Sequence, residues 1–340
     1  MAARFGLPFF NLWEIARVQW RERFFIAGGD MKKTTQIISC NKHTKLHVVF
    51  WEPEGEIRAV LQISHGMKEY AERYEELATY LCYRGILVVG HDHIGHGKSV
   101  DSLDERGYFR LAAGKNGAET AVTDMHRVNG LVRKQYPDVP FFFLGHSMGS
   151  FFVRQYLSEY EEKIDGVILS GTTWMPAAGI KGGYALLKLM ELKCGDKYKS
   201  DWLGELFNRV NNAKIPNPRT QYDWLTTDVK KTDEYLRDQN CNYFFSVNGY
   251  RTLLNSLEAI QKKENIEKIP KDIPILYLSG SEDPIGNYGK GVKEVYRRYK
   301  KAGLKRMKLC LYEGSRHEPI NEIDRFSVFG EIYCWIKKRV

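Results

Sequence analysis

At 340 residues, 43% hydrophobic and 27% charged, the chain has ordinary globular composition and enough apolar mass for a sizeable core, which excludes a disordered protein. Its formal charge of +9, from 51 basic and 42 acidic residues, is spread along the chain without the basic, aromatic-interleaved module of a nucleic-acid binder; it reads as a solvated basic surface attracted to anionic membranes. Six widely spaced cysteines, Cys40, Cys82, Cys194, Cys241, Cys310 and Cys334, with no C-x-x-C, predict free thiols in a reducing, cytoplasmic setting, with neither a disulfide framework nor a zinc site.

Residues 1–30 admit two readings. Leu12, Trp13, Ala16, Trp20 and Phe24 share one helical face, which suits an amphipathic helix lying on a membrane. Alternatively the natural start is Met31, where M-K-K-T-T-Q leads directly into a strand pattern. The uncharged run is too short to span a bilayer and no small-residue cleavage site follows it.

From residue 35 strands alternate with helices. Residues 36–40 and 45–51 predict an antiparallel pair, and 58–64 a buried strand ending at His65-Gly66. Spacing at Tyr70, Tyr74, Leu77, Ala78 and Leu81 predicts a helix over 69–83 that Gly85 closes. The run 86–90 predicts a strand covered on both faces. A helix through Val122, Met125, Val128 and Val132 leads to a strand opening at Phe141, then to a helix carrying Phe152, Tyr156 and Leu157. Further strands are expected at 166–170, 275–279 and 307–312, and a last helix over 323–336 ends in basic residues. The class this predicts is α/β, with a mostly parallel, doubly wound sheet whose ligands bind beyond the strands' carboxyl ends. The rhythm breaks over 173–250, where helical pieces and aromatics including Trp174, Trp202, Phe207, Trp224, Phe244 and Phe245 predict an inserted helical cap. The core is then 31–172 together with 251–340.

One polar island, Gly145-His146-Ser147-Met148-Gly149, interrupts two apolar runs. A strand that passes straight into a helix must turn sharply, and side chains two positions either side of the turn would collide. Gly145 and Gly149 remove them and leave Ser147 exposed at the tip as a nucleophile. A serine hydroxyl reacts only when a base takes its proton and a third group orients that base. On this architecture acid and then histidine follow later strands, which selects Asp283 after 275–279 and His317 after 307–312. Glu282 competes for the acid's role, but Pro284 fixes the loop after Asp283. Backbone donors for the oxyanion are expected from Met148 and, in the loop after 58–64, from Met67. His146 is expected to be a hydrogen-bonded structural residue pointing away from Ser147. The run His91-Asp92-His93-Ile94-Gly95-His96-Gly97 has metal-ligand chemistry, yet its place after a strand and its glycines favour a tight structural turn. No metal or cofactor is expected.

In HGMKEYAERYEELATYL, HDHIGHGKS, GHSMGS, SGSEDPIGNYGKGV and YEGSRHEPINE the chain resembles the monoglyceride lipase and lysophospholipase branch of the α/β-hydrolases, a group also described as serine aminopeptidase-like. The resemblance implies the triad Ser147, Asp283 and His317 and the oxyanion amides of Met67 and Met148. It also implies contacts of Glu69 and Arg73 with a glycerol head group, although a solvated i, i+4 pair on a helix is the competing reading. The histidine that the family places three residues after the catalytic one is here Ile320, which separates this chain from that glycerol pattern. Trp174 and the other aromatics of the insert are expected to line an acyl pocket or to pack the insert's own core. The expected activity is hydrolysis of a monoacylglycerol or lysophospholipid ester, with peripheral membrane contact through the amino-terminal segment or the cap. An aminopeptidase, an acyltransferase and a non-catalytic binding protein remain as alternatives.

Overall fold

The computed structural model describes residues 31–340, and among them eight strands form one sheet. These are β1 (Lys32–Ile38), β2 (Lys45–Trp51), β3 (Ala59–Ser64), β4 (Ile86–His91), β5 (Phe141–His146), β6 (Gly166–Ser170), β7 (Ile275–Gly280) and β8 (Met307–Tyr312). Their order is β1-β2-β4-β3-β5-β6-β7-β8. β2 is antiparallel to both neighbours, and every other pair is parallel. The mostly parallel α/β sheet is the one the alternation predicts.

Helices α1 (Glu75–Cys82), α2 (Gly117–Gln135), α3 (Met148–Glu159), α4 (Ala177–Cys194), α5 (Asp201–Asn211), α6 (Val229–Arg237), α7 (Val247–Gln261), α8 (Lys263–Lys268), α9 (Lys290–Lys301) and α10 (Arg325–Lys337) accompany it. Pleating explains how β5 buries three consecutive phenylalanines, since alternate side chains leave opposite faces of the sheet. Phe141 and Phe143 join the cluster that holds Met125, Val128 and Val132 of α2 and Phe152 and Tyr156 of α3. Phe142 points the other way, with its ring centroid 6.0 Å from that of Trp335 on α10. Each ring removed from water contributes about 1.5–3 kcal/mol, so β5 is anchored from both faces just before the turn at Ser147.

The first strand differs from expectation by several residues. It covers Lys32–Ile38 and its residues are mostly exposed, so no apolar alternation marks it. The chain turns at 39–44 instead: the Lys42 amide donates to Ser39 at 2.9 Å, the Ser39 amide to Thr44 at 2.9 Å, and the Asn41 carboxamide accepts from the His43 and Thr44 amides. The helix expected over 69–83 is likewise divided. Ala71–Tyr74 is a 3-10 turn and the α-helix begins only at Glu75.

Helices α4 to α8 all lie between β6 and β7. The last long one, α7, packs on α2 and α3 as well as on α4, so it serves the core's helical layer and the insert together. The six cysteines are free thiols. Among the described residues no helix is long and apolar enough to cross a membrane. The amphipathic stripe from Leu12 to Phe24 lies outside the described residues.

Candidate active site

Four loops meet at the carboxyl ends of β3, β5, β7 and β8. At the end of β5 the chain turns through Ser147, whose φ of 49° and ψ of −119° are a left-handed conformation that side-chain-bearing residues adopt at a cost. The turn is held by the Ser147 amide donating to the Ser170 carbonyl at 2.9 Å and the Ser150 hydroxyl donating to the Ser147 carbonyl at 2.6 Å. Glycine is required on both sides. A Cβ on Gly145 would stand 2.6 Å from the Gly149 carbonyl oxygen, and one on Gly149 would stand 2.0 Å from that of Ser64. The elbow expected from the G-x-S-x-G spacing is therefore present as a backbone fact.

Asp283 follows β7 and is fully buried. Its Oδ1 accepts the Ile285 amide at 2.9 Å and lies 2.9 Å from His317 Nδ1, which assigns the imidazole proton to Nδ1 and leaves Nε2 as the lone-pair nitrogen. The competing Glu282 is exposed and hydrogen-bonds to the Ser315 carbonyl only through its backbone amide. Among the described residues the hydrogen bond of the His317 ring is the one to Asp283, and contacts between a nucleophile and its base commonly tighten only in the reacting complex.

Two rings lie against His317: the His146 ring, 4.9 Å away, and the Trp224 indole, 5.2 Å away, centroid to centroid. Burial pushes the His317 imidazole toward its neutral form, but the Asp283 carboxylate, with Glu318 and Glu69 beyond it, outweighs this and holds its pKa above the ordinary histidine value of 6.5. His146 is shifted the opposite way: burial first, then the adjacent His317, lowers it to about 3, so it stays neutral. Its Nδ1 lies 3.3 Å from the Ser170 hydroxyl, the structural bond the sequence predicts. Its contact with the His317 ring was not legible there.

Among the described residues the Met67 and Met148 amides have no acceptor. For Met148 the reason is its place as the first residue of α3, where amides lack intrahelical partners. The Met67 loop is braced from within, because Glu69 Oε1 accepts the Gly66 amide and the Tyr74 hydroxyl at 2.9 Å.

Glu69 and Arg73 are neither solvated nor on an α-helix. Glu69 is 2% exposed, and its Oε2 lies 2.8 Å from Arg73 Nη1. The same guanidinium makes a bidentate pair with Glu318, at 3.0 and 2.9 Å. This corrects the surface-pair reading: the loop folds back so that both side chains face inward. Glu318 was missed because adjacency to His317 in sequence does not show which way a side chain points. Trp174 stands beneath the Arg298 guanidinium, 4.6 Å from its ring centroid, and packs on the main core. It is Trp224 that reaches His317.

The histidine-rich loop after β4 is bonded internally. Asp92 accepts the Ala71 and Lys98 amides at 2.8 Å each, His65 Nε2 accepts the His93 amide at 2.9 Å, and His93 Nε2 lies 3.1 Å from the Ser64 hydroxyl. Among the described residues no group of three or more metal-ligating side chains is placed to hold an ion. A groove of about 730 Å³ opens elsewhere on the insert, between Trp202, Leu206, Arg209 and Pro218, and none of the triad residues lines it.

Sheet order, elbow and buried acid–histidine pair together define an α/β-hydrolase. The chain belongs to the family described as serine aminopeptidase, S33, whose profile matches residues 55–324. It is similar to the monoglyceride lipase of Rattus norvegicus, 27% identical over 298 residues that cover 86% of each chain, and to the monoglyceride lipase homolog of monkeypox virus, 28% identical over 87% of this chain and 95% of that one. Among solved structures, a thermostable carboxyl esterase from Bacillus coagulans in complex with glycerol superposes with a TM-score of 0.81. It is 28% identical and is matched over 91% of this chain and 98% of its own.

Proposed function

We propose that the protein is a serine esterase that cleaves the carboxylic ester of a monoacylglycerol or lysophospholipid. The observation that carries this reading is the buried Asp283–His317 pair, 2.9 Å apart, at the same sheet end as a strained Ser147. Ser147 Oγ attacks the ester carbonyl while His317 Nε2 takes its proton, and Asp283 stabilises the imidazolium so formed. The free Met67 and Met148 amides receive the oxyanion. Collapse expels the alcohol, which takes its proton from His317. Water activated by the same imidazole then releases the carboxylic acid and restores Ser147.

The relatives named above support the acylglycerol end of this range. The insert supports contact with a lipid surface: Leu189 and Leu192 of α4 are 68% and 76% exposed, and exposed Lys188 and Lys193 stand beside them. Such a face suits an anionic bilayer. Ile320, buried where the family places a head-group histidine, leaves lysophospholipids within the range.

The test is release of acid from p-nitrophenyl esters, monoacylglycerols, lysophosphatidylcholine and aminoacyl amides. The reading expects turnover of the esters and almost none of the amides. Turnover confined to amides would favour an aminopeptidase, and transfer to an added alcohol in place of water an acyltransferase. A folded protein inert toward all of them would favour a binding protein.

A further inference from the structure

We infer that Arg73 is a positioning residue, forked between Glu69 and Glu318 so that one guanidinium fixes the oxyanion loop and the His317 loop relative to each other. The inference rests on the esterase reading above and adds a device to it. Its basis is a chain of contacts running from one half of the site to the other. Glu69 holds the Gly66 amide, immediately before Met67. Arg73 Nη1 bonds Glu69 at 2.8 Å and Glu318 at 3.0 Å, and Nη2 bonds Glu318 at 2.9 Å. Glu318 directly follows His317, and Asn321 donates to its Oε2 at 2.8 Å. The guanidinium lies 4.9 Å from the Tyr235 ring centroid, which closes its remaining side.

Nothing in this chain of contacts is loose. Glu318 is 3% exposed and the Arg73 side chain 11%, and a planar fork matched to a carboxylate holds direction as well as distance. Lysine in its place would keep the charge and lose the fork. Two buried carboxylates share one cation. At Glu69 burial outweighs Arg73 and raises the pKa, whereas at Glu318 burial is outweighed by Arg73, which lowers it to about 2, so Glu318 is the carboxylate that carries negative charge beside His317. The groups facing that imidazole are Asp283 from the β7 loop, His146 from β5, Glu318 from its own loop, and Glu69 and Arg73 from the β3 side. Glu318 and Glu69 both favour its protonated form. Arg73 and Glu69 thus act on the reaction through other residues, which accounts for their burial better than direct contact with a glycerol hydroxyl does.

The test uses the full chain with p-nitrophenyl butyrate, which has no glycerol head, and monooleoylglycerol, which has one. Arg73→Lys is expected to lose about ten- to hundredfold in kcat on both substrates, the scale of a slightly misplaced catalytic group, with little change in KM. Glu318→Gln and Glu69→Gln are expected to move the titration of the low-field His317 Nδ1 proton to lower pH in NMR spectra. That readout needs no turnover, so it stands apart from the esterase reading, which fails instead if the unaltered protein hydrolyses no ester. Should Glu318→Gln not fold, Glu69→Gln supplies the same measurement. A rise in KM for monooleoylglycerol alone, with kcat on the butyrate intact, would make Arg73 a head-group ligand and overturn the inference. An unmoved His317 titration in the carboxamide variants would overturn it equally.

Discussion

The Trp224 indole lies against the His317 imidazole, 5.2 Å between centroids and 38° between ring planes. The same tryptophan accepts the His317 amide at its carbonyl, 3.4 Å away, and donates from Nε1 to Asn208 at 3.3 Å. The insert therefore holds the histidine loop by ring contact and by backbone. Trp224→Ala is expected to cost about 3–5 kcal/mol of stability, as large-to-small changes in cores do, and to lower kcat/KM because the imidazole loses one wall. Trp224→Phe is expected to restore most of both. Chemical denaturation and initial rates check this, and unchanged rates in a destabilised Trp224→Ala protein would separate the ring from catalysis.

Gly149→Ala probes the elbow without touching a reacting group. The added methyl would lie 2.0 Å from the Ser64 carbonyl oxygen and 2.5 Å from that of His65, and both obstacles are backbone. Relief requires α3 to move away from β3, which costs at least about 1–3 kcal/mol and displaces Ser147 with it. The expected result is a lower urea midpoint together with a large loss of rate. Gly130→Ala on α2, where a Cβ would meet nothing within 4 Å, is the control and is expected to leave the rate unchanged and to raise the urea midpoint slightly, because alanine is the better helix former.

The pH dependence follows from His317. As general base it must be neutral, so kcat/KM rises with pH through its folded-state pKa. Burial lowers that value, but the Asp283 charge and hydrogen bond lead the group of effects that raise it above 6.5. The acid limb of kcat/KM is therefore expected above pH 6.5, measured with an ester that does not itself titrate. In Asp283→Asn the limb moves to lower pH and the rate falls by about 10³–10⁴, because the preferred tautomer is lost with the charge. A limb below 6.5 in the unaltered protein would contradict the assigned pair.

The parts of this site legible in the sequence were those fixed by local backbone geometry. Two glycines around Ser147 report a turn that nothing bulkier permits, and Asp283 and His317 are found by their place after consecutive strands. Contacts made across the fold left no such trace. Nothing near Trp224 marks it as the neighbour of His317, and Glu318 could be read as a solvated residue until its pairing with Arg73 is seen. The helical spacing around Tyr70 and Tyr74 holds for burial of Tyr74, but Tyr70 is extended and Ala71–Tyr74 is a 3-10 turn, so the α-helix starts only at Glu75. The edge strand β1 was misplaced because mostly exposed polar residues form it, where pairing with β2 decides and apolar periodicity is silent.

The central claim is that the hydroxyl of Ser147, activated by His317, is the group that becomes acylated. Intact-mass and peptide mapping after treatment with a fluorophosphonate test it most directly. The account predicts one adduct, located on Ser147, absent in Ser147→Ala and formed far more slowly in His317→Ala. An adduct on another residue, or labelling of the folded Ser147→Ala protein at the original rate, would contradict it.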